Sequence, residues 1–270
     1  MLLWEGSWAG GGSRNEGPEN KGKGYTGNPR GERCYIGHVD KRNVVVFSGA
    51  GVSAESGLRT FRDSDGLWEQ YRIEEVATPE VWQRDPLKVL HFYDLRREQV
   101  LAARPNAAHE AIARLQAHFH VDVVTQNIDD LHERAGSKQV VHLHGEILKA
   151  RSTADPTLVT RINGPSLRLG DRCALGSQLR PHIVWFGEEV PLIPVAAALI
   201  TKADKLLIVG SSLQVYPAAG LVQYASRSCE VVLVDPNEVD VQRSGVRHIK
   251  RTASEGVPLL AAEWLKEIGV

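Results

Sequence analysis

Asn43-Val-Val-Val-Phe-Ser-Gly-Ala-Gly-Val-Ser-Ala-Glu-Ser-Gly-Leu-Arg-Thr-Phe-Arg-Asp63 is the stretch on which the fold turns. The apolar, β-branched run 44–47 predicts a buried strand. It feeds into Gly49-x-Gly51-x-x-Ala54, where glycines let the backbone turn tightly and approach a ligand with no Cβ in the way. A helix opening there points amide groups at an anion. Strand, glycine turn and helix start together form a dinucleotide fingerprint. The next residues depart from hydride-transferring Rossmann enzymes, in which an acidic residue about 20 positions on grips the ribose. Here Gly57 breaks the helix early, and Thr60, Phe61, Arg62 and Asp63 form a loop. Residues 67–71 do not read as a strand.

Composition sets the outer limits. The 270 residues are 42% hydrophobic and 24% charged, ordinary globular values that suit one large domain or a large and a small one. A formal charge of −1 gives no electrostatic case for nucleic acid or an anionic membrane. No apolar run approaches the roughly 20 residues needed to span a bilayer, and no secretory signal is visible. Cys34, Cys173 and Cys229 are far apart and odd in number, so they make neither a disulfide framework nor a four-thiolate zinc set. A reducing cytoplasm is expected. Residues 1–38 are rich in Gly, Asn, Glu, Lys and Arg and are expected to be a disordered leader, with Trp4 and Trp8 as a possible docking element.

Apolar residues at helical spacing over 79–103 predict a helical segment, with Pro86 at a start and Pro105 at an end. A helix near 106–117, a strand over 121–125, a short helix over 128–135 and a strand over 140–143 come next. Residues 150–180 lose periodicity and carry Asp155-Pro156, Asn163-Gly-Pro165, Gly170 and Gly176, so they predict an irregular insert. Alternation resumes with strands at 182–186, 205–209 and 230–234, and helices at 194–202, 218–226 and 258–268. The expected fold is α/β, a Rossmann-like parallel sheet covered by helices on both sides. A smaller part would come from 73–104 and 149–180, the larger from 42–72, 105–148 and 181–270.

Open parallel sheets bind ligands at the carboxyl ends of their strands, and the polar motifs of this chain fall there. Thr125-Gln-Asn-Ile-Asp-Asp130 suits ribose hydroxyls and a carboxamide, or else caps the next helix through Asn127 or Asp129. In Val141-His-Leu-His-Gly-Glu146 the two histidines share a strand face. His144, at the strand tip, is the candidate base for a sugar hydroxyl, and His142 is read as structural. His109 is read as a packing or capping residue. Gly210-Ser-Ser212 permits another close approach to phosphate or ribose. In Asp235-Pro-Asn237 the carboxylate either holds a ribose diol or starts a turn.

Taken in order, the glycine loop, Thr60-Phe-Arg62, Gln126-Asn-Ile-Asp129, Leu143-His-Gly145, Val184-Trp-Phe-Gly-Glu188 and Gly210-Ser-Ser212 resemble the sirtuin family of NAD-dependent protein-lysine deacylases over residues 42–268. Bacterial desuccinylase/deacetylase members look closest. The resemblance implies NAD consumed as co-substrate and acyl-lysine proteins or peptides as partners. It implies NAD contacts at Gly49, Ala50, Gly51, Ser53, Glu55, Thr60, Phe61, Arg62, Asp63, Trp68, Gln126, Asn127, Ile128, Asp129, Gly210, Ser211, Ser212, Asp235, Pro236, Asn237 and Ala253. Asn127, Asp129 and His144 would be catalytic: the acyl-lysine oxygen attacks ribose C1′ as nicotinamide leaves, and His144 then takes a ribose hydroxyl proton. Lysine, nicotinamide and O-acyl-ADP-ribose result. Val184, Phe186, Gly187 and Glu188 would line the acyl-lysine tunnel and pair with the substrate backbone. Nucleic acid and membrane partners are not expected, and a monomer is.

Tyr93 and Arg96 are three apart and share a helix face. Family members that resemble this arrangement also remove succinyl or malonyl groups, because an arginine and a phenol hold the terminal carboxylate. Alternatively Arg96 is one more solvated charge beside Arg97 and Glu98. Most bacterial sirtuins hold zinc on two cysteine pairs. Here Arg151-Ser-Thr-Ala154 stands at the first pair and Cys173 alone lies in the insert, so no zinc is expected. Arg59 in place of a frequent proline, Asp235 in place of an asparagine and Arg251 in place of a glycine are further departures. Mono-ADP-ribosyl transfer, a non-catalytic NAD sensor and an ordinary NAD oxidoreductase are the rival readings.

Overall fold

The buried strand expected at the glycine loop is β1, Asn43–Ser48. In the computed structural model, residues 42–58, 67–68 and 71–270 are described. The chain divides into Met1–Val39 and Asp40–Val270, and every described residue belongs to the second unit. The expected leader, Cys34, Arg59 and the loop residues Thr60, Phe61, Arg62 and Asp63 lie outside the described residues. After β1 come α1 (Gly51–Ala54), β2 (Leu67–Trp68), β3 (Tyr71–Arg72), α2 (Pro79–Arg84), α3 (Pro86–Ala102), α4 (Ala107–Leu115), β4 (His120–Thr125), α5 (Leu131–Arg134) and β5 (Val140–His142). The remainder is β6 (Gly145–Ser152), β7 (Val159–Arg161), β8 (Leu179–Ile183), α6 (Ile193–Thr201), β9 (Lys205–Val209), β10 (Glu230–Val234), β11 (Arg247–Ile249) and α7 (Ala253–Glu267).

Six strands form one parallel sheet in the order β11-β10-β9-β1-β4-β5. β1 lies between β9 and β4, so the chain winds outward from it in both directions. Successive β1 side chains point to opposite faces. Val44 and Val46 join the core under α4 and α7, with Ile112, Leu115, Leu260 and Trp264. Val45 and Phe47 join the other core, with Ile200, Leu221 and Leu233. Burying apolar residues on both faces is what makes a parallel sheet of such strands stable, each fully buried aliphatic side chain contributing roughly 1.5–3 kcal/mol.

Local chemistry places the helix ends. Thr78 accepts from the Val81 amide with Pro79 in the first turn, and Asp85 accepts from the Lys88 amide with Pro86 in the first turn. Two caps, each followed by a proline suited to a first turn, split the helical stretch at 79–103 into two helices. Asn106 caps α4, and His109 Nδ1 accepts from the Asn106 amide at 3.3 Å. That is the capping role expected of His109.

Several expectations need correction. Residues 150–180 are not irregular throughout: β6, β7 and β8 form an antiparallel sheet in the order β7-β6-β8. The strand expected at 182–186 is therefore β8, which starts and ends earlier and lies outside the parallel sheet. Leu67–Trp68 and Tyr71–Arg72 do pair, as a two-residue hairpin. Residues 218–224 are a 3-10 turn, β11 was not anticipated, and α7 begins at Ala253 with Pro258 inside it. For β8 and β11 the strand partner lies outside the local sequence, which leaves no periodicity to read.

The two inserts pack on each other. Val89, Phe92 and Tyr93 of α3 share a core with Ile147, Ile183 and Trp185, and Leu90 joins Ala150, Leu167 and Leu179. The solvated reading of the α3 arginines is overturned, since Arg96 and Arg97 are 5% and 0% exposed. Arg97 Nε donates to Ile147 O at 2.9 Å, and its Nη1 donates to Pro165 O at 2.7 Å and Asp94 Oδ1 at 2.6 Å. Asp94 Oδ1 also accepts from the Leu167 amide at 3.0 Å. One partly buried ion pair thus rivets the 147–167 backbone to α3. Arg97→Leu strands the Asp94 carboxylate and two carbonyls, and is expected to cost about 2 kcal/mol, discounted because Asp94 is partly exposed. Urea unfolding of the variant checks this.

Candidate active site

The carboxyl ends of β1, β4, β5 and β9 bring the polar motifs into one crevice beside the strand where the winding reverses, the place at which open sheets bind ligands. The loops after β1 and β9 are interlocked. Gly51 N donates to Gly210 O at 2.9 Å and Gly49 N to Val209 O at 3.0 Å. A Cβ on Gly210 would lie 2.2 Å from Val52 N, and its φ is +61°. A Cβ on Gly51 would lie 2.7 Å from the Gly210 Cα. These glycines are needed because two backbones touch. Two of the three loop amides are spent internally, and Ala50, exposed at the tip, has the amide left for a ligand among the described residues. α1 spans four residues, so the helix expected to face an anion is a single turn.

Beneath the crevice lies a hydrogen-bonded polar cluster, in which His132 Nδ1 is buried without a partner among the described residues. Ser53 Oγ donates to Asp129 Oδ2 at 3.1 Å and accepts from Asn127 Nδ2 at 3.1 Å, with His109 Nε2 at 3.5 Å. Asp129 Oδ1 accepts from the Leu131 amide at 3.1 Å. Burial pushes the Asp129 carboxyl above its ordinary range despite these bonds. Ser48 Oγ donates to Thr125 Oγ1 at 2.8 Å and meets His132 Nε2 at 3.0 Å. Gln126 Nε2 donates to Ser211 Oγ at 2.8 Å, tying the β4 loop to the β9 loop.

The pKa values of the two histidines of the 141–146 motif are shifted in opposite directions. His142 is buried. Its Nδ1 donates to Asn127 O at 3.0 Å, and its Nε2 faces the Glu133 carboxylate at 2.7 Å. Burial alone would lower its pKa, but Glu133 and the Asn127 carbonyl outweigh that and raise it. His144 is half-buried, with no charged partner among the described residues. Burial pushes its pKa below 6.5, only partly opposed by Gln126 O, 3.0 Å from Nδ1. A carbonyl only accepts, so Nδ1 carries the proton and Nε2 presents a lone pair. Gly145 comes next because its φ is +83° and a Cβ there would lie 2.1 Å from His182 O.

A family model described as Sir2 matches residues 49–217. A Bacteroides thetaiotaomicron protein called NAD-dependent protein deacylase is 52% identical over 222 residues, covering 80% of this chain and 95% of its own. A Helicobacter pylori protein of the same name is 54% identical, covering 72% and 85%. The chain belongs to the Sir2 family. A crystal structure of a Sir2 homologue–NAD complex superposes with a TM-score of 0.76 at 37% identity, over 85% of this chain and 92% of that one. A Sir2 complex with a p53 peptide and NAD+ gives 0.69 at 30%, over 85% and 95%.

Not every residue expected in this Sir2 site faces it alone. Glu55 Oε2 accepts from the Ser254 amide at 2.9 Å, so it caps α7 beside Ala253. Asp235 Oδ1 accepts from the Asn237 amide at 2.9 Å, the turn-forming alternative, while Pro236 and Asn237 are exposed. Ile128 O accepts from Ile147 N, and Ser212 is half-buried beside Ser211. Glu188 is locked: Arg180 grips it through two bonds of 2.8 Å, Arg151 reaches it at 2.9 Å, and the Trp185 amide donates to it at 2.8 Å. The amides of Val184 and Phe186 are spent on His144 O and Ala77 O. Phe186 is nonetheless 48% exposed, beside exposed Gly187. For Trp68, only the backbone in β2 is described.

The Sir2 zinc module finds no counterpart in the donors present among the described residues. Cys173 Sγ donates to Ser152 Oγ at 3.2 Å, which also accepts from the Ala154 and Asp155 amides. One thiol among hydroxyls and amides does not fit a four-ligand zinc site. Sequence reasoning missed the contact of His109 with Ser53, His132 under the site and the bond from Trp185 Nε1 to Tyr93 Oη. An apolar strand tip followed by a buried serine was the available signal for the first two.

Gly210→Ala tests the interlock. A Cβ against backbone in a left-handed conformation is expected to cost about 2 kcal/mol or more in stability. It is also expected to weaken NAD binding at least tenfold; calorimetric titration with NAD reads the second effect.

Proposed function

We propose that this chain is an NAD-dependent protein-lysine deacylase that accepts acidic acyl groups, succinyl and malonyl, as well as acetyl. The observation that carries the reading is the pairing of a neutral imidazole, His144, with the Ser53–Asn127–Asp129 cluster at the switch point of the sheet. The crevice suits NAD. Glycine-lined backbone allows close approach, and amide and carboxylate side chains stand at the strand tips. Gly49, Ala50, Gly51, Ser211 and Ser212 would hold its phosphates and ribose, with Gln126 and Asn127 on the second ribose and Ser53, Ile128 and Asp129 around nicotinamide. NAD supplies an electrophilic ribose carbon and a leaving group.

His144 is a base by construction. Its Nδ1 proton is fixed on Gln126 O, so Nε2 takes a proton from a sugar hydroxyl and later returns it. Asp129, its carboxylate bonded by Ser53 and the Leu131 amide, holds Ser53 in place, and Ser53 fixes the Asn127 amide. The peptide lies along residues 184–187. Because two amides there are already spent, the Val184 and Phe186 carbonyls and the Gly187 amide pair with it, and the exposed Phe186 ring covers the acyl-lysine stem. Glu188 supports this segment through Arg180 and Arg151 and does not touch substrate. Tyr93 and Arg96, buried on one face of α3, receive the acyl carboxylate.

Three facts speak for catalysis over a non-catalytic sensor: the neutral His144, the Asn127 amide and the segment exposed for a peptide. Among the described residues no helix is long and apolar enough to cross a membrane. His144→Ala is expected to cut deacylation by roughly 100-fold or more, read by mass spectrometry of acyl-peptide incubated with NAD. The base must be neutral, and its folded pKa is depressed. kcat/KM should therefore be full near pH 7 and fall only as pH drops through a value below 6.5; an acid limb centred above pH 7 would contradict the assignment. Arg96→Met should lower desuccinylation about tenfold or more through loss of a charged hydrogen-bond pair, with a far smaller effect on deacetylation. Equal losses on both would defeat the acidic-acyl reading.

A further inference from the structure

Tyr93 is fully buried, and its hydroxyl makes one hydrogen bond among the described residues, from Trp185 Nε1 at 3.0 Å. An indole N–H only donates. The phenol oxygen is therefore the acceptor, and its own proton must point elsewhere. Burial keeps this phenol protonated by raising its pKa. The indole is itself clamped. Trp185 is 1% exposed. The Arg180 guanidinium lies over its ring at 3.5 Å, and Trp82 packs against it with centroids 5.8 Å apart. Arg180 is fixed in turn by the two-bond grip on Glu188.

We propose that Trp185 is a specificity-determining positioning residue: by occupying the Tyr93 oxygen it turns the phenol proton toward the acyl end, as a ready donor for a substrate carboxylate held with Arg96. The inference rests on the acidic-acyl reading above. Glu188, Arg180, Trp185 and Tyr93 form a relay from the peptide-binding segment to the acyl end. It costs an acetyl substrate nothing, because acetyl has no group to accept the proton. Preorganising a donor rather than leaving its rotor free is the general way to gain affinity without a new contact.

The test is a mutant cycle read as the ratio of desuccinylation to deacetylation kcat/KM. Trp185→Phe keeps an aromatic ring and removes the donor, and Trp185→Met, with a flexible chain for the same space, is the second donor-less variant should the first not fold. The ratio is expected to fall about fivefold in either, the worth of one hydrogen bond, through KM for succinyl-peptide. In a Tyr93→Phe background, Trp185→Phe is expected to lower the ratio no further. A purely structural role for Trp185 would depress both substrates alike and leave the ratio at the wild-type value; that result, or a further fall of the ratio when Trp185→Phe is added to Tyr93→Phe, overturns the proposal. If Tyr93→Phe and Arg96→Met leave the ratio at the wild-type value, the acidic-acyl reading fails and this inference with it. If they lower it while Trp185→Phe does not, the positioning role alone fails.

Discussion

The contact on which the molecule depends is backbone against backbone. The loop after β1 and the loop after β9 meet at Gly51 and Gly210 through a 2.9 Å hydrogen bond, with no room for a side chain on either glycine. Adjacent parallel strands fix the two loops side by side, and the glycines let them close. Everything polar at the site is arranged around that closure. Gln126 reaches across to Ser211, and Ser53, two residues past Gly51, anchors Asn127 and Asp129.

The second constraint is that buried polar groups must be satisfied. Under the crevice, Ser48, Thr125, His132, Ser53, Asn127 and Asp129 lie out of water yet bond to one another. A buried polar group left unpaired costs about 1–3 kcal/mol of desolvation, which these bonds spare all but His132 Nδ1. The same rule explains why two histidines two residues apart differ. A carboxylate against His142 raises its pKa, whereas His144 has only a carbonyl to offset burial and its pKa falls.

The small module obeys different physics. It is held by a partly buried Arg97–Asp94 pair, the Arg180–Glu188 grip and a thiol–hydroxyl bond between Cys173 and Ser152. Such bonds join α3, the 147–167 backbone and the segment 183–188. α3 and the segment 183–188 are thereby tied together, with Trp185 between Tyr93 and Arg180.

The parallel sheet, the glycine loop and the candidate base were legible in the chain before any folding was considered. Apolar β-branched runs, the Gly49-x-Gly51 spacing and a histidine followed by glycine are all local signals. Nothing local disclosed that Glu55 caps a helix 199 residues away, that Glu188 is claimed by two arginines, that Arg97 is buried, or that 145–183 folds as an antiparallel sheet. Those outcomes depend on which distant groups the sheet brings within hydrogen-bond reach, and a charged side chain carries no mark of its partner. They were left to the folded arrangement, because the cost of burying a charge is settled by the neighbour it finds.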